Sequence, residues 1–441
     1  MAPLSPPEPE RVGPPRTDRR WLAVPLLVFA FVLLAVVKPW GDGRTAGDAL
    51  ASASPLAVVP SGSLAPADTG RPIPDMTVIG GMPAAAAPIH SHELESVPWA
   101  NELAADAGGA WAWSDSGVVR RIGTNDVLTK SDLGRPRNTP GPLGSRGIAV
   151  ASSQVWASDP IHRGLTRMDV GTASVADRVS LWSVQDEAAA ADAAASSRDR
   201  FASSSGFAIH GDSIFLPTLA PRPRGVVDPA GTHGALWRID TKGDDPPTWV
   251  SIDHPTGVAA GFGSVWVVSC CGNHSDARTY SIVRLGEETG DVQARIVLPV
   301  QNAVADPRPV IRVGPDSVWV GLTDPAVIVR IDPATSSVRS TLPAELPVTD
   351  LAIGPDDSLW VTESEPWYRF GAVASDRCDG RLERIDPTTE ELVAATTMTC
   401  PMSVAVAGDD VWVGTAGTEG SGTSGGVPPQ LVHLRAVERP G

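Results

Sequence analysis

Residues 267–275 read VVSCCGNHS and place Cys270, Cys271 and His274 within one short stretch. Thiolates and imidazole are ligands for soft metal ions. A closed site needs a fourth donor, and none stands nearby in the sequence. The other chemistry open to adjacent cysteines is a disulfide between neighbours. Adjacent Cα atoms across a trans peptide lie about 3.8 Å apart, short of the usual disulfide range of about 4.4–6.8 Å. Such a ring is strained and easily reduced, and Gly272 would let the chain turn away from it. A pair of free thiols is the alternative. The other two cysteines, Cys378 and Cys400, complete the four in the chain.

Catalytic signatures are thin. The 8 histidines lack metal-ligand spacing, and the chain has no G-x-S-x-G, phosphate loop or H-E-x-x-H. No catalytic residue, metal ligand or cofactor can be named from motifs. The formal net charge of −16 argues against a nucleic-acid partner, which requires a basic surface. It also disfavours adsorption to anionic lipid.

The compartment decides what the cysteines can do. Residues 1–20 are polar and Pro-rich and carry Arg11, Arg16, Arg19 and Arg20. Trp21 to Val37 follows without a charge, with Trp21 and Trp40 at the ends. This is at the short end of a membrane-spanning length, flanked by interfacial aromatics and preceded by positive charge. Residues 21–40 are therefore expected to be a transmembrane helix with the N-terminus cytoplasmic and the rest of the chain outside. A cleaved signal peptide is the competing reading, but the nearest A-x-A, Ala51-Ser52-Ala53, is far downstream. Residues 41–88, rich in Ala, Pro and Ser, read as a disordered linker. A single-pass cell-membrane protein is expected, and disulfides persist on that side of the membrane.

From residue 89 to 441 a repeat sets the architecture. The unit is an apolar strand, a Gly/Asp turn, a strand centred on an aromatic, a variable loop, an R-I-D strand, a turn such as DPAT and a fourth strand. The aromatics are Trp111, Trp156, Phe215, Trp266, Trp319, Trp360 and Trp412, spaced 41 to 59 residues apart. Repeats of about 40–50 residues with four strands each predict an all-β, seven-bladed β-propeller. The seventh unit lacks an outer strand after His433-Leu434. An open edge is a liability, so Ile89–Glu95 is expected to close the ring. The recurrent Trp reads as packing between blades, with an aromatic binding box as the alternative. The Arg of R-I-D reads as a structural ion pair or blade-edge contact.

GPDDSLWVTE (354–363), followed by RIDPTT (384–389), resembles the repeat of streptogramin B lyases and related seven-bladed propellers, including surface propellers of the YVTN type. The resemblance covers roughly residues 89–437. For the lyases it implies a magnesium ion held on one face by a His and nearby carboxylates. Here Glu363 falls in the repeat motif and His254 is the nearest His, so the lyase site is not carried over. A Mg²⁺ or Ca²⁺ ion and metal-dependent lyase or hydrolase chemistry belong to that alternative alone.

Loop lengths single out one face. Second-to-third loops are long in blades 3, 4, 6 and 7, the last two being 363–380 (with Trp367) and 415–429, and 184–200 adds an Ala-rich insertion. All emerge on the same side of a meander, so that side is the candidate binding face. Aligned inner strands give a column Ala104, Ala149, Ala208, Ala259, Arg312, Ala352 and Ala405. Arg312 breaks it, and Arg146, Arg308, Asp350 and Glu102 lie near the strand starts. Two readings stand: Arg forks holding an anionic ligand, or an Arg312–Asp350 or Arg308–Glu102 pair plugging the channel. The expected function is a binding or scaffold module for an extracellular ligand or envelope protein. A structural part of an envelope assembly is a further alternative. Cys378 and Cys400 belong to one sector of this face and are expected to pair.

Overall fold

The computed structural model describes residues 84–93 and 102–436, apart from the segments 114–117, 124–127, 134–146, 152–153, 160–163, 181–205, 220–233, 244, 271–278, 302–308, 366–377 and 417–429. The expected N-terminal tail, membrane span and nearly all of the linker lie outside the described residues. Among those described, no helix is long and apolar enough to cross a membrane.

The described strands form seven four-stranded antiparallel sheets, six of them meanders of consecutive strands. Blade 1 runs from Glu102–Asp106 to Leu128–Asp132 and blade 2 from Ile148–Ala151 to Val175–Ser180. Blade 3 runs from Ala208–His210 to Thr248–Ser251, and blade 4 from Pro255–Gly261 to Val292–Gln301. Blade 5 runs from Val310–Val313 to Ser337–Pro343 and blade 6 from Val348–Ile353 to Leu392–Thr399. Each inner strand abuts the next, and that of blade 7, Pro401–Ala407, reaches that of blade 1, so the ring is closed.

Blade 7 takes its outer strand from the other end of the propeller. Ala86–Glu93 pairs antiparallel with the third strand Gln430–Ala436, from Ala86↔Ala436 to Glu93↔Gln430. The expected closure exists, but it begins at Ala86, inside the stretch read as linker, and not at Ile89. The reason is packing. Ala85 and Ala86 are buried in the seam between blades 6 and 7, where a small side chain fits, and the Ala85 amide donates to Thr396 Oγ1 at 3.0 Å.

The core is divided into inter-blade seams, each filled by the aromatic of one blade packed against the next. All seven aromatics are buried. On the second strand each faces the basic residue of the third in register: Trp111↔Arg121, Trp156↔Arg167, Phe215↔Arg238, Trp266↔Arg284, Trp319↔Arg330, Trp360↔Arg384 and Trp412↔His433. The Arg then reaches the third-to-fourth turn of the following blade. Arg284 Nη1 donates to Pro333 O at 2.6 Å, and Arg330 Nη1 to Pro387 O at 2.7 Å. The turn is stiff because Asp332 and Asp386 accept amides two and three residues on, from Ala334, Thr335, Thr388 and Thr389. Trp and Arg are therefore scaffold: one fills a seam, the other ties it.

Candidate functional site

The inner strands set the channel wall. In six blades the residue opposite the seam aromatic is Ala104, Ala149, Ala208, Ala259, Ala352 or Ala405, and in blade 5 it is Arg312, opposite Trp319. Arg312 Nη2 donates to Asp350 Oδ1 of blade 6 at 2.7 Å, while Nη1 donates to its neighbour's carbonyl, Ile311 O, at 3.0 Å. Asp350 also accepts the Leu351 amide on Oδ1 at 2.8 Å and the Val404 amide of blade 7 on Oδ2 at 3.0 Å. Its side chain is 4% exposed and that of Arg312 is 34% exposed. Burial raises the Asp350 carboxyl against the downward pull of Arg312 and the two amides. One carboxylate thus joins blades 5, 6 and 7. The open edge of the guanidinium is what a small anion in the channel could still meet.

Glu363 ends up elsewhere. It sits near the end of the second strand of blade 6, Leu359–Ser364, and is fully buried in the seam with blade 5. Its Oε2 accepts the Leu346 amide at 3.0 Å, from the connection that enters blade 6. Its cross-strand partner is Arg381, and Glu383 lies two residues farther along the same strand face. Arg381 pairs closely with Glu345 and approaches Glu383 Oε1 at 3.8 Å. Burial, and next the charge of Glu383, push the Glu363 carboxyl up to about 8.

His254 stands at the connection between blades 3 and 4 with φ 38°, and its Nδ1 lies 2.6 Å from Asp253 Oδ1. The Ser269 hydroxyl donates to the Asp253 carbonyl across this corner. Cys378 and Cys400 form a disulfide, with Cα atoms 5.1 Å apart, in a small cluster with Ala416 beside blades 6 and 7.

The structure therefore brings Arg312 and Asp350 together and keeps His254 and Glu363 in separate sectors, with blade 5 between blades 4 and 6. Glu102 opens the inner strand of blade 1 and is half-buried. Arg146, Arg308, Trp367 and Cys271 lie outside the described residues. Cys270 ends the second strand of blade 4, opposite Tyr280. Sequence reasoning missed Glu383, Arg381 and Glu345 as the neighbours of Glu363. A signal was present. Glu363 occupies the position that Leu322 holds in blade 5, three residues after the seam Trp, and Glu383 the position of Val283 and Val329. The Glu363 column is otherwise mostly polar, with Thr218, Ser269 and Thr415, so the signal lies in Glu383, a carboxylate in a column that also holds Trp237 and Val432.

The metal of the lyase alternative finds no fit. Among the described residues no group of three or more His, Cys, Asp or Glu is arranged to hold an ion, and Arg381 already takes the cationic place beside Glu363.

No protein-family model matches the chain. No curated protein matches it. Among solved structures, a chain of "Crystal Structure of Mitotic Checkpoint Complex" superposes with a TM-score of 0.52 at 10% identity, covering 80% of this chain and 96% of that one. The likeness is one of fold: this chain is a seven-bladed propeller of four-stranded blades.

Proposed function

We propose that this protein is a membrane-anchored, extracytoplasmic binding or scaffold module that works through the loop-rich face of its propeller. The carrying observation is the asymmetry of the disc. Consecutive strands on one side are joined by tight turns, such as Gly314–Ser317 and Gly354–Ser358, closed by backbone hydrogen bonds. The other side carries the connections 181–205, 220–233, 271–278, 366–377 and 417–429. A rigid disc with all its added chain on one side is built to present that chain. The uncharged stretch Trp21 to Val37 and the arginines before it support an anchor with the propeller outside. The Cys378–Cys400 disulfide supports an oxidising compartment. The ligand class is an extracellular polymer, small molecule or envelope protein.

The resemblance to streptogramin B lyases supports the fold of this reading and not the lyase chemistry, because Glu363 is enclosed in a seam and His254 belongs to another sector. The test is replacement of 220–233, 366–377 or 417–429 by a four-residue turn, followed by crosslinking in the native host. A crosslinked partner lost with these replacements, and kept when the opposite turns are altered, supports the reading. A partner that survives all three replacements overturns it.

A further inference from the structure

Glu363 and Glu383 form a pair of buried carboxyls inside the seam between blades 5 and 6. Glu363 is fully buried and Glu383 is 7% exposed. Glu363 Oε1 meets no hydrogen-bond donor, and the register sets Glu383 beside Glu363 on the same face of the sheet. Two ionised carboxylates cannot hydrogen-bond, since each only accepts. With one proton between them, Glu363 donates and Glu383 accepts, and the orphaned oxygen is satisfied. The other charges acting on Glu363 are Arg381 of the same blade and Glu345 from the connection before it. With one shared proton, two negative charges face the single Arg381. Without it, three do.

We propose that Glu363 and Glu383 share one proton, and that its release to solvent opens the blade 5–blade 6 seam at the elaborated face. The mechanical link is short. Glu363 Oε2 holds the Leu346 amide, and the Ser364 amide donates to Pro347 O at 3.0 Å. Glu363 and its neighbour Ser364 thus fasten the end of the connection 344–347 that enters blade 6, while Ala344 at its other end donates to Ala326 O of blade 5 at 3.1 Å. Burial pushes both carboxyls upward, Glu363 to about 8. A group whose folded value lies above its unfolded value of 4.5 contributes stability that is complete below the unfolded value and is lost as pH rises to the folded one. The seam is therefore closed in acid and loosened through neutral to mildly alkaline pH. The device does not depend on what the face binds.

Hydrogen exchange of the full chain tests it, read at peptides covering 344–350 and 359–365, with 279–286 of blade 4 as the internal control. After correction for intrinsic exchange, the opening constant at the seam is expected to rise on the order of 100-fold between pH 5 and pH 8, with no matching change in the control. Glu363→Gln keeps the shape, supplies a permanent N–H donor to Glu383 and cannot ionise. It is expected to hold the seam at pH 8 as closed as the natural chain at pH 5. Glu383→Gln is expected to flatten the pH response as well. The proposal is overturned if both variants keep the natural pH response, or if the natural seam does not respond to pH. It is also overturned if Mg²⁺ or Ca²⁺ alone recloses the natural seam at pH 8, because the pair would then be a cation site.

Discussion

Arg312 and Asp350 lie on the inner strands of neighbouring blades and meet at 2.7 Å through Nη2 and Oδ1. The pair replaces an alanine contact at the one break in the channel column. Asp350 has two further amide donors, whereas Arg312 is partly open to the channel. Loss of Asp350 therefore leaves more unsatisfied than loss of Arg312. Asp350→Ala is expected to destabilise more than Arg312→Ala, and a double-mutant cycle by denaturant unfolding is expected to show coupling of about 0.5–3 kcal/mol. Additive effects would show that the contact carries no energy. A fully stable Arg312→Ala that loses a bound anion would move the residue from the scaffold to the ligand site.

The seam arginines are expected to differ in weight although they share one motif. Arg330 is 1% exposed, stacks over Trp319 with its guanidinium 5.0 Å from the ring, and pairs with Asp316 and Glu390. Asp316 and Glu390 are 58% and 22% exposed, so Arg330→Ala leaves no charge fully buried; it loses packing on Trp319 and the donors to Ser317 and Pro387, about 2–4 kcal/mol. Arg238 faces Phe215, and its carboxylate partner Glu288 is 78% exposed. Such a pair contributes about 0–1 kcal/mol. Equal losses in thermal unfolding of Arg238→Ala and Arg330→Ala would contradict this account.

The fold was legible because its repeated contacts are cross-strand neighbours. A Trp on the second strand and an Arg on the third are register partners, so each recurs at a fixed offset from its turn even where the loop between them varies. The Ala column was legible for the same reason. The start of the closing strand was not, because AAPIHSHE lacks alternation and its first residues are fixed by packing against Thr396 and blade 6. The Glu363–Glu383 pair was hidden by sequence distance. Twenty residues and the long loop 366–377 separate the partners, and only the pairing Glu363↔Arg381 and Val361↔Glu383 sets them side by side.

The disulfide has a local task. Cys378 precedes the third strand of blade 6, Cys400 lies between blades 6 and 7, and the Cys400 amide donates to the Cys378 carbonyl at 2.9 Å. Closing a loop with a sequence separation of 22 limits the unfolded chain by about 3 kcal/mol. Cys378→Ser with Cys400→Ser is expected to lose about that much, and reductant is expected to have the same effect on the natural chain. Non-reducing peptide mapping should recover Cys378 with Cys400. A Cys270–Cys378 or Cys271–Cys400 species would contradict the fold. Cys270 and Cys271 are then expected to be joined to each other, and two alkylatable thiols there would remove only that ring.

Ring closure gives the most direct test of the architecture. Blade 7 depends on Ala86–Glu93 for its outer strand, and without it the edge Gln430–Ala436 is left unpaired. That edge carries Leu431, Val432 and Leu434, all buried, so its exposure removes both ladder bonds and seam packing. A chain starting at residue 71 keeps everything described here and is expected to unfold at the same temperature as the natural propeller. A chain starting at residue 98 loses the whole strand; a loss of about 5 kcal/mol lowers the midpoint of a propeller this size by roughly 7 °C. The informative length lies between them. A chain starting at residue 88 keeps five of the strand's residues beyond Pro88 but loses Ala85 and Ala86, which fill the seam with blade 6. It is expected to fall between the other two. If it matched the longer chain, closure would begin at Ile89 and the alanine packing would carry no energy; if all three lengths unfolded alike, the ring would not be closed by this strand.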